Sequence, residues 1–327
     1  MGVGVNQTEP RFDRELAAFL AANPDVSRES LRAEDIPDLR GAFVSDNGQS
    51  LAHRGTLDID ELTVVADDGT PLAFTVMKKK GSARPRAGIY HIHSGGMIAG
   101  DRFIGLDLMA DWVEKFDVVC GSLEYRLAPE HPDPIPVTDC YTGLVAFADV
   151  AQQHGVLKGS LVITGMSAGG GLAAGVTLMA RDTGGPTLQA QLLMCPMLDD
   201  TNDTPSSHQY SSLGLWDRES NDVGWNALLG SRRQTADVSA YASPAREKNL
   251  AGLPPTFIDV GSEEVFRSEC QTYAARLGEA GVSVEFHQWA GAFHGFDLSV
   301  PTAKISQQAI TARTQWLERV LDNHLFT

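Results

Sequence analysis

Short apolar runs alternate with amphipathic stretches along most of the chain. The apolar runs have the length of strands, and the stretches between them carry apolar residues at helical spacing. This alternation predicts strands at 87–93, 117–125, 160–165, 190–196, 256–261 and 283–289, and helices near 103–116, 136–154, 168–182, 264–280 and 302–323. Because strands that are apolar throughout are buried on both faces, the pattern predicts an α/β fold with a mostly parallel sheet flanked by helices.

The segment ahead of these strands has a different pattern. Residues 11–40 are rich in charge, and Leu16, Phe19 and Leu20 fall on one face at helical spacing, so short amphipathic helices are predicted there. They precede the first strand and are expected to form an appendage or a lid. Two alternating runs at 58–79, joined across an Asp-Gly pair, predict a β-hairpin.

The regular alternation breaks at about 200–250. This stretch is polar, is rich in turn-forming residues and carries Trp216 and Trp225. It predicts an insertion above the sheet rather than another strand–helix unit.

Length and composition agree with one large globular domain, or with a domain that carries a small cap. The chain has 327 residues, of which 43% are hydrophobic and 21% are charged. Its net charge of −16 would repel nucleic acid and anionic membranes, so neither is an expected partner. The first residues lack the features of a signal peptide, and no apolar run reaches membrane-spanning length, which favours a cytoplasmic location.

The four cysteines, Cys120, Cys140, Cys195 and Cys270, are far apart in the sequence. They form no C-x-x-C pair and have no histidine at a zinc-like spacing. Cys120 and Cys195 lie within apolar runs. All four are therefore interpreted as buried structural thiols, and no metal site is predicted.

Candidate chemistry begins at a serine between glycines. Gly165, Ser167 and Gly169 form G-x-S-x-G where the strand at 160–165 runs into a helix, which is the pattern of a nucleophile elbow, a sharp turn that exposes a serine hydroxyl. A glycine-rich turn of a dinucleotide-binding fold is the alternative, since the run at 169–175 fits a loose G-x-G-x-x-A pattern. It is not favoured, because no acidic residue follows the next strand at the expected position and Ser167 occupies the turn where phosphate would bind.

A nucleophilic serine needs a base and a carboxylate that orients the base. His294 follows the last strand at 283–289 and comes after the serine in the chain, as the order serine–acid–histidine requires. The strand before it contains Asp259 and is followed by Glu263 and Glu264. Spacing alone does not choose among these three carboxylates.

Acyl transfer also needs donors for the tetrahedral oxyanion. Gly95 and Gly96 follow the strand at 87–93 in an H-x-G-G run, and glycines can turn their amides into a cavity. The amide of Ala168, directly after the serine and at a helix N-terminus, is a third candidate donor. An ordinary turn is the alternative for the H-x-G-G run, but its place one strand–helix unit before "EYRLAPEHP" argues against it.

Five sequence blocks occur in a distinctive order: "HSGG" (93–96), "EYRLAPEHPDPIPVTD" (124–139), "GMSAGGGLA" (165–173), "GSEEVFRSE" (261–269) and "AFHGF" (292–296). This order resembles the hormone-sensitive-lipase-like branch of the α/β-hydrolases, which includes many bacterial carboxylesterases. The resemblance runs from about residue 60 to the C-terminus, and "YRLAPEHP" is its most specific part. It implies an α/β-hydrolase catalytic domain at 46–327, with an N-terminal helical cap segment at 1–45 and a cap-contributing insertion at about 200–240.

The resemblance assigns roles by position. The nucleophile, the base and the three oxyanion donors correspond to Ser167, His294, Gly95, Gly96 and Ala168. Glu264 corresponds to the acid, because the family pattern G-x-x-D-P-L-x-D aligns its aspartate there. The resemblance further implies that no metal or organic cofactor takes part, and that the chain can form a homodimer, as members of this branch frequently do.

Three positions depart from the family pattern. Ser94 stands where H-G-G-G has its first glycine, Met166 stands where Asp or Thr often precedes the nucleophile, and the acid is Glu rather than Asp. These departures bear on substrate preference more than on reaction class.

The sequence therefore predicts a serine carboxylester hydrolase that cleaves small short- to medium-chain or aryl esters through an acyl-enzyme. The same machinery acting as a deacetylase, lactonase, amidase or carbamate hydrolase is an alternative, and a non-catalytic small-molecule receptor is a more remote one. Apolar residues of the insertion and of the loops around the serine are expected to line the substrate pocket, or else to pack the cap onto the core. They are Met97, Met166, Leu213, Leu215, Trp216 and Trp225, together with the N-terminal segment.

Overall fold

The computed structural model of the chain describes residues 10–24, 30–212 and 214–322. Within these ranges eight strands form one sheet with the order β1-β2-β4-β3-β5-β6-β7-β8. They are β1 (Leu57–Val65), β2 (Pro71–Lys79), β3 (Gly88–Ile92), β4 (Val119–Leu123), β5 (Leu161–Met166), β6 (Ala190–Met194), β7 (Thr256–Gly261) and β8 (Val284–Trp289). The β1–β2 hairpin and its pairing with β4 are antiparallel, and all other pairs are parallel. The mostly parallel sheet predicted from the sequence is therefore confirmed.

Helices fill the connections between the strands, as the alternation predicts. Those in the described ranges are α1 (Arg14–Ala22), α2 (Ile36–Ala42), α3 (Gln49–His53), α4 (Leu106–Phe116), α5 (Ile135–Gln153), α6 (Ala168–Thr183), α7 (Pro205–Gln209), α8 (Arg218–Leu229), α9 (Arg267–Glu279), α10 (Phe296–Ser299) and α11 (Lys304–Leu321). None of these helices combines the length and the apolar character that crossing a bilayer requires.

The hydrophobic core lies on both faces of the sheet, because neighbouring residues of a strand point to opposite sides. Val162 and Ile163 of β5 belong to different buried clusters, and so do Leu192 and Leu193 of β6. Residues of α5, α6 and α9 complete the cluster on one face, and residues of α3, α4 and α11 complete the cluster on the other. Two helical layers thus hold the sheet rigidly between them.

The carboxyl ends of the parallel strands meet at one edge of the sheet. Ile92 of β3 lies opposite Gly165 of β5, Met166 lies opposite Met194 of β6, and Met194 lies opposite Asp259 of β7. The loops after these strands and after β8 therefore lie side by side, at the edge where α/β folds bind their ligands.

The segment before β1 packs against loops at this edge. The rings of Phe12 and Phe19 each lie 6.2 Å from the ring of Phe293. The amide of Leu31 donates a 3.0 Å hydrogen bond to the hydroxyl of Ser220, which lies in the insertion between β6 and β7. The division of the chain into a cap segment and a catalytic domain stays a prediction, and Leu213 lies outside the described residues.

Candidate active site

Ser167 lies at the tight turn between β5 and α6 with strained backbone angles. Its φ is 57° and its ψ is −122°, a conformation that costs a non-glycine residue about 1–3 kcal/mol. The surrounding backbone holds it there, because its amide donates a 2.8 Å hydrogen bond to the carbonyl of Met194 and its carbonyl accepts from Met197 at 3.0 Å. The geometry is that of a nucleophile elbow.

The two glycines that flank the serine are required by close backbone contacts. A Cβ on Gly165 would lie 2.2 Å from the carbonyl oxygen of Gly169, and a Cβ on Gly169 would lie 2.1 Å from the carbonyl oxygen of Ile92. Helix α6 can therefore start directly against β5 and against the loop after β3. This is why the motif needs glycine at both positions.

The three sequence-predicted side chains meet in one hydrogen-bonded chain. Nε2 of His294 lies 2.9 Å from Oγ of Ser167, and Nδ1 of His294 lies 2.6 Å from Oε2 of Glu264. Because a carboxylate can only accept, Nδ1 carries the ring proton and Nε2 is free to accept the serine proton. The other oxygen of Glu264 accepts a 2.7 Å hydrogen bond from the amide of Gly261, which fixes the carboxylate.

The structure separates the three candidate acids. Only Glu264 among them contacts His294 in the described residues, and its side chain is 1% exposed. Glu263 instead accepts hydrogen bonds from the hydroxyls of Tyr210, at 2.8 Å, and Ser262, at 2.9 Å. Asp259 faces α11 and does not reach the histidine.

The three amides predicted to bind the oxyanion share one feature, the lack of an acceptor. Gly95 has a φ of 125° and Gly96 has a φ of 64°, and Ala168 is the first residue of α6. Across the described ranges, no backbone or side-chain acceptor pairs with the amide of any of the three. Gly96 and Ala168 are buried, and buried amides normally have a partner. Donors left unpaired beside a nucleophile are what a tetrahedral oxyanion requires.

The "YRLAPEHP" block holds in place the loop that follows β3 and contains Gly95 and Gly96, called here the predicted oxyanion loop. The hydroxyl of Tyr125 donates to the carbonyl of His93 at 3.1 Å, and the amide of Ala128 donates to the carbonyl of Met97 at 2.9 Å. Arg126 forms a two-pronged salt bridge with the buried Asp139 of α5, with its shorter contact at 2.7 Å. The block thus connects the loop after β3 to the loop after β4 and to the helix behind it.

Burial keeps two histidines neutral: His91 in β3 and His93 in the loop that follows it. Desolvation lowers the pKa of His91 and of His93 to about 4 each. Both imidazoles are therefore uncharged at neutral pH.

A buried ion cluster supports the loop that carries His294, and the sequence analysis missed it. Arg313 of α11 is 1% exposed, donates at 2.7 Å to Asp259 and also pairs with Asp297, three residues after His294. Nε1 of Trp289 donates to Asp259 at 3.0 Å. Burial raises the pKa of Asp259, while Arg313 acts against this shift. A carboxylate inside the apolar run "TFIDVG" signals that a buried partner must exist, but it does not say which one.

The predicted pocket residues are distributed around the site. Trp216 covers the oxyanion loop, since a Cβ on Gly96 would lie 2.5 Å from its Cη2 atom. Met166 lines a cavity of about 330 Å³ together with Ser94. Leu215 packs against the cluster around Phe293. Met97 is fully buried in the main core, and its place in the substrate pocket stays a prediction.

One group of three metal-ligating side chains comes together among the described residues. It consists of Cys195, Glu264 and His294, and one ligand atom from each lies within 4.8 Å of the others. The three residues are far apart in sequence, so no spacing motif could reveal them.

Comparisons with known proteins agree with this geometry. The family described as having the alpha/beta hydrolase fold matches residues 89–298. The carboxylic ester hydrolase LipN of Mycobacterium tuberculosis is 31% identical over 274 residues, which cover 81% of this chain and 72% of that protein. Arylacetamide deacetylase of Bos taurus is 28% identical, over 80% of this chain and 81% of that protein.

The solved structure of a bacterial heroin esterase is also similar. It superposes with a TM-score of 0.84 at 31% identity, over 95% of this chain and 98% of that chain. The chain belongs to the α/β-hydrolase family, in its hormone-sensitive-lipase-like branch.

Proposed function

We propose that this chain is a serine carboxylesterase that hydrolyses small esters through an acyl-enzyme on Ser167. The observation that carries the proposal is the continuous relay from Ser167 through His294 to Glu264, with contacts of 2.9 Å and 2.6 Å, beside three unpaired amides. Relatives named as ester hydrolases and esterases support the same reaction class.

In the first half of the reaction, Oγ of Ser167 attacks the ester carbonyl carbon while its proton passes to Nε2 of His294. Glu264 stabilises the imidazolium that results. The carbonyl oxygen becomes an oxyanion that accepts hydrogen bonds from the amides of Gly95, Gly96 and Ala168, and one such donor is worth about 10²–10³ in kcat. The C–O bond to the alcohol then breaks as Nε2 protonates the leaving oxygen, and the acyl group stays on the serine.

In the second half, water takes the place of the alcohol. Nε2 of His294 removes a proton from this water, whose oxygen attacks the acyl carbon and regenerates the oxyanion. The carboxylic acid leaves as the proton returns from Nε2 to Oγ of Ser167. Ser167, His294 and Glu264 return to their starting protonation states after one turnover, and water is the only other reactant.

The surroundings of the relay favour short- to medium-chain or aryl esters. Trp216 lies over Gly96, so a flat apolar group on one side of the ester has an aromatic surface to contact. Leu215, Phe12 and Phe19 pack against the cluster around Phe293, which directly precedes His294 in the chain, and we expect this apolar cluster to border the ester on another side. In this proposal, the segment before residue 45 and the insertion at 200–240 together form the cap over the site.

Deacetylation of aryl amides is a second candidate for the same relay. The specific observation in its favour is the similarity to arylacetamide deacetylase. An amide leaves as an amine, which must take the proton from Nε2 of His294 before the C–N bond breaks. Matched p-nitrophenyl acetate and p-nitroacetanilide, which differ only in the bond cleaved, separate the two activities.

The deciding experiment replaces the nucleophile. Ser167→Ala is expected to abolish p-nitrophenyl ester hydrolysis and covalent labelling by a fluorophosphonate, with an unchanged melting temperature. Ser306→Ala removes another buried serine hydroxyl and is expected to keep both. Full activity in Ser167→Ala would refute the mechanism, and an unlabelled, inactive wild type would support a small-molecule receptor instead.

Location and assembly belong to the same proposal. The four cysteines are buried and free, which suits a reducing compartment such as the cytoplasm. A homodimer is a further expectation from the family resemblance, and size-exclusion chromatography with light scattering tests it.

A further inference from the structure

A buried thiol lies beside the proton relay. Cys195 directly follows β6 with a φ of 37°, and its amide donates a 2.7 Å hydrogen bond to the carbonyl of Asp259. This places Sγ in the corner where the loops after β7 and β8 bring Glu264 and His294 together. One ligand atom from each of the three side chains lies within 4.8 Å of the other two.

The donor set selects a particular class of ion. A thiolate, an imidazole nitrogen and a carboxylate oxygen are ligands that Zn²⁺ and Co²⁺ prefer, whereas Mg²⁺ and Ca²⁺ prefer oxygen alone. In a tetrahedral zinc site the ligand atoms lie about 3.3–3.6 Å from one another, given the usual Zn–S and Zn–N bond lengths. Atoms at most 4.8 Å apart would have to approach by no more than about 1.5 Å to reach that geometry. Water would fill the fourth position.

The charges also balance. The thiolate of Cys195 and the carboxylate of Glu264 together carry two negative charges, so a bound divalent cation leaves the buried corner neutral. Neutrality matters because the Glu264 side chain is 1% exposed and the His294 side chain 11% exposed, and an uncompensated charge there is costly. The thiol gives up one proton to solvent when the ion binds, helped by the charge of the ion itself.

We propose that Cys195, Glu264 and His294 form an inhibitory binding site for Zn²⁺ and similar transition-metal ions. If the ion binds Nδ1 of His294, the remaining ring proton must move to Nε2. Nε2 then faces Oγ of Ser167 as a donor and cannot accept the serine proton. If the ion binds Nε2, it blocks the base directly. In either arrangement the relay stops, and a chelator restores it.

The first test measures inhibition. Zn²⁺ is expected to inhibit wild-type ester hydrolysis reversibly, with recovery on adding EDTA, while Mg²⁺ has no effect. Loss of an outer-sphere partner alone weakens metal sites by about 10–100-fold, so Cys195→Ser is expected to raise the half-inhibitory Zn²⁺ concentration at least that much. Cys120→Ser changes a buried thiol on β4 and is expected to leave inhibition unchanged. Equal inhibition of wild type and Cys195→Ser would overturn the proposal.

The second test measures metal binding in the absence of catalysis. It is needed because the inhibition rests on the proposed reaction, whereas metal binding does not. Co²⁺ added to Ser167→Ala is expected to give a thiolate-to-cobalt charge-transfer band in the near ultraviolet. Ser167→Ala/Cys195→Ser is expected to lack this band, and Ser167→Ala/Cys195→Ala provides a second thiol-free variant should the first fold poorly. A band that persists in both thiol-free variants, or is absent from Ser167→Ala, would overturn the site whatever the enzyme hydrolyses.

Discussion

The hydroxyl of Tyr125 donates a 3.1 Å hydrogen bond to the carbonyl oxygen of His93, and the two rings stack with their centroids 4.1 Å apart. Both residues are buried. His93 directly precedes the oxyanion loop, and its carbonyl also lies against the start of α6, where a Cβ on Gly169 would come within 2.4 Å of it. Tyr125 therefore fixes the distance between the loop that offers Gly95 and Gly96 and the helix that offers Ala168.

Tyr125→Phe is expected to lower both stability and kcat. Loss of one buried hydrogen bond costs about 1 kcal/mol of unfolding free energy. Misaligned oxyanion amides would also lose about 1 kcal/mol of transition-state stabilisation, which lowers kcat about fivefold. The effect falls on kcat because the amides bind the oxyanion of the transition state more strongly than the substrate carbonyl. Urea denaturation and p-nitrophenyl acetate kinetics measure the two effects.

Tyr90→Phe is the matched control for this prediction. Tyr90 is also buried, and its hydroxyl donates to a backbone carbonyl, that of Cys140, at 3.0 Å, but it lies away from the oxyanion loop. It is expected to lose about the same stability with kcat unchanged. Equal kcat losses in the two variants would mean that Tyr125 acts through general stability alone.

Glu264→Gln is expected to reduce kcat by about 10³–10⁴-fold with little effect on stability. A glutamine can still accept the hydrogen bond from Gly261, but its amide group would donate to Nδ1 of His294. The ring proton would then be held on Nε2, and the base would be in the wrong tautomer. Glu263→Gln alters contacts with the hydroxyls of Tyr210 and Ser262 and with the amide of Arg11, none of which belongs to the relay, and is expected to stay near wild-type activity. The opposite ranking of these two variants would reassign the acid.

Trp216→Ala is expected to shift selectivity toward bulkier esters. The indole covers Gly96, and its Nε1 donates to Asn221 at 3.3 Å, which holds the ring over the oxyanion loop. Removing it opens space next to the reacting carbonyl, so kcat/KM for p-nitrophenyl hexanoate should rise relative to kcat/KM for the acetate. Trp216→Phe should show a smaller change in the same direction. A ratio that is unchanged in both variants would show that the indole borders no part of the ester.

Periodicity made the strands and the main helices predictable because each buried element has a repeating pattern. The strand predicted at 256–261 coincides with β7, and the helix predicted at 168–182 differs from α6 by a single residue at its end. The G-x-S-x-G motif identified Ser167, because the local backbone restricts which residues can occupy an elbow. The order of the sequence blocks identified His294.

Relationships that depend on side-chain direction were not predictable. Asp259 lies within β7 and Glu263 and Glu264 follow it, and only side-chain direction and the path of the loop decide which one faces His294. Arg313 belongs to a helix whose sequence gives no sign that it reaches a carboxylate on β7. Cys195 reads as an ordinary core thiol because its neighbours in the corner come from other loops.

A buried carboxylate on α9 makes a further prediction about pH. Glu269 is 3% exposed; its Oε1 accepts from the amide of Leu198 at 2.7 Å, and its Oε2 has no partner among the described residues. Burial raises the pKa of this carboxyl well above its usual 4.5, and the hydrogen bond from Leu198 offsets only part of the shift. The folded protein therefore keeps a proton that the unfolded chain loses above pH 4.5.

The raised pKa of Glu269 in the folded protein fixes the sign of the pH dependence of the unfolding free energy. The stability contributed by protonated Glu269 is fully present below pH 4.5 and falls as pH rises toward the folded pKa, by up to about 1.4 kcal/mol per pH unit. Glu269→Gln cannot titrate, so its unfolding free energy minus that of wild type should rise steadily with pH over this window. Urea denaturation at a series of pH values measures the difference, and Glu279→Gln, at the exposed end of the same helix, should show none. A difference for Glu269→Gln that stays flat or falls with pH would mean that the carboxyl is ionised in the folded protein.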